Sequence, residues 1–204
     1  DLHSFPTRRS SDLLSSESTD TVYLRPLRDD DAEAVRRAFT GTGMSLEGSV
    51  VDLESAQTYV RTRADAASPL HGWAIVGADD VLMGLVSVAA DEDNATGALS
   101  FWMGDDYRGR GLTRRAVATV ADWALADDGL VLDRLELEHI GSYRHAGNIA
   151  RAAGFLQEGL LREARVVEVH DGEDVLLMRE DVVVYGRLRD DPEPIVARLQ
   201  MRES

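Results

Sequence analysis

The most constraining feature of the chain is the run from residue 99 to residue 126. An apolar strand pattern, Leu99-Ser100-Phe101-Trp102-Met103, gives way to Gly104-Asp105-Asp106-Tyr107-Arg108-Gly109-Arg110-Gly111. A helical stripe of Leu112, Ala116, Val120 and Trp123 follows. Two glycines one residue apart between a strand and a helix let the backbone turn tightly and aim its amides outward. The helix N-terminus adds unpaired N–H donors and a partial positive charge. Such a run makes either a plain turn or a site for a phosphate or pyrophosphate, with Arg108 and Arg110 at its rim. It is not a Walker loop, and it lacks the third glycine of a dinucleotide fingerprint. Its place after several other elements also argues against a Rossmann fold.

The flanking patterns alternate between strand and helix. Strands are expected over residues 22–27, 71–76, 81–90, 97–103, 132–138, 159–169 and 174–187, with Pro26 marking the first as an edge. Helices are expected over 29–39, where Asp29, Asp30 and Asp31 open the first turn, from Asp52 to about 64, over 112–126 and over 144–153. The turns are Ala78-Asp79-Asp80, Asp91-Glu92-Asp93-Asn94 and Asp171-Gly172. One mixed α/β domain accounts for all of these, and its two long closing strands can extend a sheet across a homodimer interface.

Composition narrows the function classes. At 204 residues and 44% hydrophobic, the chain buries a core without staples, and it has no cysteine for a disulfide, a thiolate metal site or a thiol nucleophile. The net charge of −15 argues against nucleic acid as a partner and mildly favours a cationic ligand. No apolar run is long enough to span a bilayer, no metal-ligand spacing occurs, and the protein is expected in the cytoplasm. Residues 1–20 are polar without apolar periodicity and read as disordered or foreign. A transit peptide is the rival reading on Arg8 and Arg9, opposed by Asp1 and Asp12. The expected division is 1–20, a folded domain over 21–190, and a charged tail over 191–204 around Pro192 and Pro194.

Tyr107-Arg108-Gly109-Arg110-Gly111-Leu112-Thr113, following the aromatic strand, resembles the acetyl-CoA loop of the GNAT N-acetyltransferases, nearest to the RimJ/RimL-type ribosomal-protein N-terminal alanine acetyltransferases. Further matches are Leu24-Arg25-Pro26-Leu27, Leu135-Glu136-Leu137-Glu138-His139, Ala153-Gly154-Phe155 with Glu158-Gly159, and Val184-Tyr185-Gly186-Arg187-Leu188 before Asp191-Pro192. The resemblance implies an α/β single-domain GNAT fold, with a mixed, mostly antiparallel sheet of about seven strands splayed at the acetyl-CoA site and flanked by helices. It also implies that the backbone of Arg108, Gly109, Arg110, Gly111, Leu112 and Thr113 holds the cofactor pyrophosphate. A backbone N–H at Trp102 or Met103 would face the thioester oxygen. The reaction implied is direct attack of an amine on acetyl-CoA, with a base taking the ammonium proton and an acid protonating the thiolate.

The chain departs from the resembled pattern at Asp106, where Gln or Arg is usual. Tyr143 replaces an Asn, Ala146 a Ser, and Ala150 the Tyr acid of other branches. Tyr143, Ser142 and His145 remain as possible acids. Glu136 and Glu138 alternate with Leu135 and Leu137, share one strand face and are the candidate bases; each taken alone fits a solvated face or an ion pair with Arg134 better. The expected activity is acetyl transfer to a protein or peptide N-terminus or to a small amine. The alternatives are a GNAT-fold module that binds acyl-CoA without catalysis, and a phosphate site for an unrelated nucleotide.

Overall fold

The structure, a computed structural model, describes residues 22–40, 50–171 and 174–202. The segment 1–20 lies outside the described residues, as does Gly172 of the expected Asp171-Gly172 turn. One eight-stranded sheet runs in the order β6-β7-β5-β4-β3-β2-β1-β8. Its strands are β1 Tyr23–Pro26, β2 Leu70–Val76, β3 Leu82–Asp91, β4 Thr96–Met103, β5 Arg134–Ile140, β6 Leu156–Asp171, β7 Asp174–Leu188 and β8 Gln200–Met201. Pairing is antiparallel except between β4 and β5 and between β1 and β8.

Helices α1 Ala32–Ala38 and α2 Leu53–Ala64 cover one face. Helices α3 Leu112–Leu125 and α4 Arg144–Ala152 cover the other. The start of α2 is local chemistry: the Asp52 carboxylate accepts from the Ser55 N–H at 2.8 Å while the Ser55 hydroxyl accepts from the Asp52 N–H at 3.0 Å. Helix α3 turns Ala116, Val117, Val120, Ala121 and Ala124 onto the sheet, where Leu99, Leu135 and Leu137 meet them, so burial of its apolar stripe fixes how it lies behind the cleft. Trp73 packs edge-on against Trp123 at 5.1 Å and belongs to this core.

The sheet has one strand more than expected, and the difference lies in the C-terminal stretch read as a charged tail. Residues 194–202 form a strap across α3. Arg115 donates to the carbonyls of Ala197 and Arg198, Thr119 Oγ1 accepts from the Leu199 N–H at 2.9 Å, and the Arg202 N–H donates to the Leu24 carbonyl at 2.8 Å. Asp122 anchors the strap by pairing with both Arg187 and Arg198. The sequence shows only a charged tail here, because the partners of these charges are 65 or more residues away. Pro26 still sits where no ladder bond is needed, since β8 covers only Tyr23 and Leu24 of β1. Among the described residues no helix is long and apolar enough to cross a membrane.

Beneath α1, the buried Arg25 guanidinium donates twice to Asp31 at 2.8 Å and once to Asp80 at 2.7 Å. Its bond to Asp31 raises the affinity of Arg25 for its proton despite burial, so the guanidinium stays charged. Asp31→Asn leaves Asp80 as the remaining carboxylate on the buried Arg25 and is expected to cost about 1.5–3 kcal/mol, read as a lower denaturant midpoint. A loss under about 1 kcal/mol would show that the pair behaves like an exposed one.

Candidate active site

Strands β4 and β5 are paired only at their beginnings, Thr96 with Arg134, Gly97 with Leu135 and Ala98 with Glu136. Beyond Ala98 they diverge, and a cleft of about 1020 Å³ opens between residues 99–103 on one side and 137–140 on the other. Alternate backbone groups on an unpaired strand point into such a gap, so residues 99–103 present amides and carbonyls to anything that lies there. Trp102 and Met103 line the gap, and their side chains are buried in the cores on opposite faces of the sheet. Trp102 Nε1 donates to the Tyr59 hydroxyl at 3.2 Å, and its ring meets Phe39 edge-on. Trp102 is thus fixed by α1 and α2, and the strand end is held from the side away from the helices behind the cleft.

The mouth of the cleft is the glycine loop. Gly109 and Gly111 have φ of +79° and +72°, the left-handed region, and Gly111 is the N-cap of α3 with no side-chain cap. The first amides of α3 consequently have no intrahelical acceptor and face the cleft mouth. The Arg108 N–H, by contrast, donates to the Asp105 carbonyl at 3.3 Å, so the outward-facing amides begin at Gly109. The Arg108 side chain pairs with Asp105 and bonds the Met103 carbonyl at 3.0 Å, tying the loop to the end of β4. Arg110 reaches back to the Asp106 carbonyl at 3.3 Å. Arg114 and Thr113 line the cleft, whereas Arg115 is turned to the strap.

The candidate bases have different surroundings. Glu136 is bonded to Arg134 at 3.0 Å, and Arg134 also grips Glu158. Arg134 holds the exposed Glu158 carboxyl below its usual range, and its own proton affinity is raised mainly by that bond. Glu138 lies deeper along the diverging strand and faces Arg165 at 3.5 Å. Tyr143 and His145 line the opposite wall at the start of α4, edge-on at 5.8 Å. The Ser142 hydroxyl donates to Glu180 at 3.0 Å, which leaves Tyr143 and His145 as the titratable groups of that turn facing the cleft. His139 stacks on Tyr185 at 5.5 Å, its Nδ1 lies 2.7 Å from the Ile140 carbonyl, and its Nε2 is buried without a hydrogen-bond partner among the described residues.

Sequence reasoning missed Asn148 and Arg165 as cleft residues. Asn148 follows His145 by three positions on α4, a spacing that was readable. Arg165 was not, because β6 slips register against β7 between Leu161 and Arg165, with Glu163 at φ +51°. That bulge re-aims the strand and sends the Arg165 side chain over β7 to Glu138. Among the described residues no cluster of His, Asp or Glu could hold a metal ion.

Two diverging parallel strands facing a left-handed glycine loop at a helix N-terminus make a cleft that can take an extended anionic ligand. The chain belongs to the GNAT acetyltransferase family: residues 21–156 match the family described as acetyltransferase (GNAT) domain. It is accordingly an acetyltransferase, of a family that uses acyl-CoA donors and amine acceptors. Solved structures share the fold at low identity. A ribosomal-protein-S5-alanine acetyltransferase from Vibrio fischeri is 18% identical with a TM-score of 0.69, covering 85% of this chain and 96% of that one. A GNAT-family acetyltransferase from Bacillus anthracis is 15% identical with a TM-score of 0.67, covering 84% and 96%. A mutant of the spermidine N-acetyltransferase SpeG from Vibrio cholerae is 15% identical with a TM-score of 0.68, covering 83% and 94%. No curated protein sequence matches the chain significantly.

Proposed function

We propose that the protein moves the acetyl group of acetyl-CoA to a primary amine by direct attack within the β4–β5 cleft. The observation that carries this reading is the divergence of β4 from β5 after Ala98, opening onto the Gly109/Gly111 loop. In this reading the amides of Gly109, Arg110, Gly111, Leu112 and Thr113 hold the pyrophosphate, with Arg108 bracing the loop. Pantetheine lies along residues 99–103, and a backbone N–H at Trp102 or Met103 stabilises the oxyanion. Glu138 takes the proton of the attacking amine, directly or through water, with Glu136 as its alternate. Tyr143 returns a proton to the leaving thiolate. The C–S bond of the thioester breaks as the C–N bond forms; of the two protons a cationic amine gives up, one ends on the CoA thiol and the other leaves to solvent.

The acceptor is a cationic amine, either a peptide or protein N-terminus or a small polyamine-like compound. Support comes from the net charge of −15 and from the carboxylates of Glu136 and Glu138 at the cleft. The structural likeness to acetyltransferases whose names give a ribosomal-protein alanine and spermidine as acceptors agrees with both choices. The acetyltransferase domain runs from 21 through β8 to about 202, works in the cytoplasm, and acts as a homodimer. The test is thiol release from acetyl-CoA with a panel of Ala- and Ser-initiated peptides, polyamines and aminoglycosides. One class is expected to stimulate release at least tenfold over water. Release that no amine stimulates, in protein that binds the cofactor, would contradict the reading.

A further inference from the structure

Strand β6 carries an interruption that changes which charge reaches the cleft. Leu161 pairs with Val182 and Arg165 with Glu180, so three residues of β6 stand opposite the single Asp181 of β7. Paired residues of an antiparallel ladder share a face, and Glu180, Val182 and Val184 follow one another at every second position. Val184 pairs in turn with Glu138, so this is the face that carries Glu138. An unbroken ladder from Leu161 would set Glu163 opposite Glu180 and add a further carboxylate there. The slip sets Arg165 in its place. Glu163 bears the strain, at a φ of +51° that is unfavourable for any residue with a side chain. Two hydrogen bonds hold it there: its N–H donates to the Asp181 carboxylate at 2.8 Å, and Arg179 donates to its carbonyl at 3.0 Å. Backbone strain braced in this way points to a functional position. Arg165 itself is loosely held. Its cross-strand neighbour Glu180 is taken up by the N–H and hydroxyl of Ser142. What is left is the 3.5 Å contact with Glu138, and the half-exposed guanidinium makes no hydrogen bond among the described residues.

We propose that Arg165 receives an anionic group that the acceptor carries beside its reacting amine, which makes Arg165 a specificity-determining residue of the cleft. This assignment rests on the acetyl-transfer reading above and names the acceptor class. The physical reason is an exchange of ionic partners. As the ammonium of the acceptor takes up Glu138, Arg165 loses the one carboxylate it faces. An acceptor with its own carboxylate returns a partner to the guanidinium, whose planar fork matches a carboxylate in two parallel bonds. Every charge in the loaded cleft then faces its opposite. A polyamine does the reverse, because its second ammonium approaches a guanidinium that has just lost its partner. The separation is limited as well. With Glu138 and Arg165 3.5 Å apart, the anion has to lie within a few bonds of the amine. Two sources meet that requirement: the α-carboxylate of a free amino acid, and the acidic side chain at the start of a peptide. The negative field of the whole chain still draws the ammonium in, while Arg165 sorts the amines that arrive.

The test compares acceptors that differ only in that anion: alanine with alaninamide, and Asp-initiated with Asn-initiated peptides, beside spermidine. Thiol release at saturating acetyl-CoA gives kcat/KM for each. Wild-type protein is expected to prefer the anionic member of one pair by about tenfold or more. Preference in the first pair assigns the anion to an α-carboxylate, and preference in the second to a side chain. Arg165→Met keeps the length of the side chain without its charge. It is expected to cut the preference below about twofold, through the KM of the anionic member, and to raise kcat/KM for spermidine. Arg165→Lys should keep part of the preference, since the charge stays and the fork is lost. Because Arg165 is half exposed and makes no hydrogen bond within the described chain, the thermal midpoint should stay within a few degrees of wild type. Turnover without preference, or a preference that Arg165→Met retains, would overturn the Arg165 assignment and leave acetyl transfer standing. If thiol release responds to no amine, calorimetry of the same pairs on CoA-loaded protein decides. Binding of the anionic members that Arg165→Met loses would support the anion site while the acetyl-transfer reading falls. Equal binding within each pair, or none, would overturn both.

Discussion

Gly109→Glu is expected to abolish measurable acetyl-CoA binding. Three effects act at one position. Residue 109 sits at φ +79°, where a side chain costs about 1–2 kcal/mol. The loop amides from Gly109 onward have to close on an anion, and a carboxylate placed among them competes for that site and repels the phosphates. The space above Gly109 is open, with no atom of the described residues within 4 Å of where a Cβ would stand. Without steric conflict inside the protein, the loss of binding comes from the site and from local strain rather than from collapse of the fold. An affinity loss of more than about a hundredfold corresponds to roughly 3 kcal/mol. It should accompany a thermal midpoint within a few degrees of wild type and be read by calorimetry on both proteins. Gly109→Ala separates the contributions: it keeps the backbone strain without the charge, and should lose less than a tenth of what the Glu substitution loses. Equal affinity of wild type and Gly109→Glu would remove the loop from the cofactor site.

Glu138→Gln is expected to lower kcat about a hundredfold at neutral pH, the contribution typical of a positioned base, with acetyl-CoA affinity changed less than twofold. The isosteric amide keeps the volume and loses the ability to take a proton. Glu138 is singled out over Glu136 by their neighbours: Glu136 is engaged by Arg134 at 3.0 Å, whereas Glu138 has the looser 3.5 Å contact with Arg165, which an incoming ammonium can displace. The matched variant Glu136→Gln should therefore lose less than about fivefold. If the two variants behave alike, or if Glu138→Gln retains the wild-type pH–rate profile, proton removal lies with Glu136 or with water held by the strand backbone.

How far the sequence carries the fold depends on whether the determinant is local. The start of α2 at Asp52, the apolar stripe of α3 and the left-handed glycines before it are set by residues within a turn of each other, and all were readable. The strap is set by Arg115, Thr119 and Asp122 on α3 meeting residues some eighty positions later, and a two-residue β8 has no periodicity to detect. The cleft divides the same way. Its glycine loop and the alternation of Glu136 and Glu138 are local, whereas the point at which β4 and β5 part is a matter of tertiary register. Ser142 was an open choice in the sequence because nothing nearby shows that Glu180, on β7, takes up its hydroxyl. Arg165 depended on a bulge whose strained residue is a glutamate rather than a glycine, so no composition cue marked it.

The central claim is that the gap between β4 and β5 and the loop at its mouth form one acetyl-CoA site. Calorimetric titration of the purified protein with acetyl-CoA, with ATP and NAD as controls, tests it most directly. One site per chain is expected, with micromolar affinity for acetyl-CoA and weak or absent binding of the two nucleotides, which carry phosphates but no pantetheine arm to fill the gap. Absence of acetyl-CoA binding, or binding of ATP with equal strength, would reduce the Gly109/Gly111 loop to a turn or a general anion site and contradict the assignment.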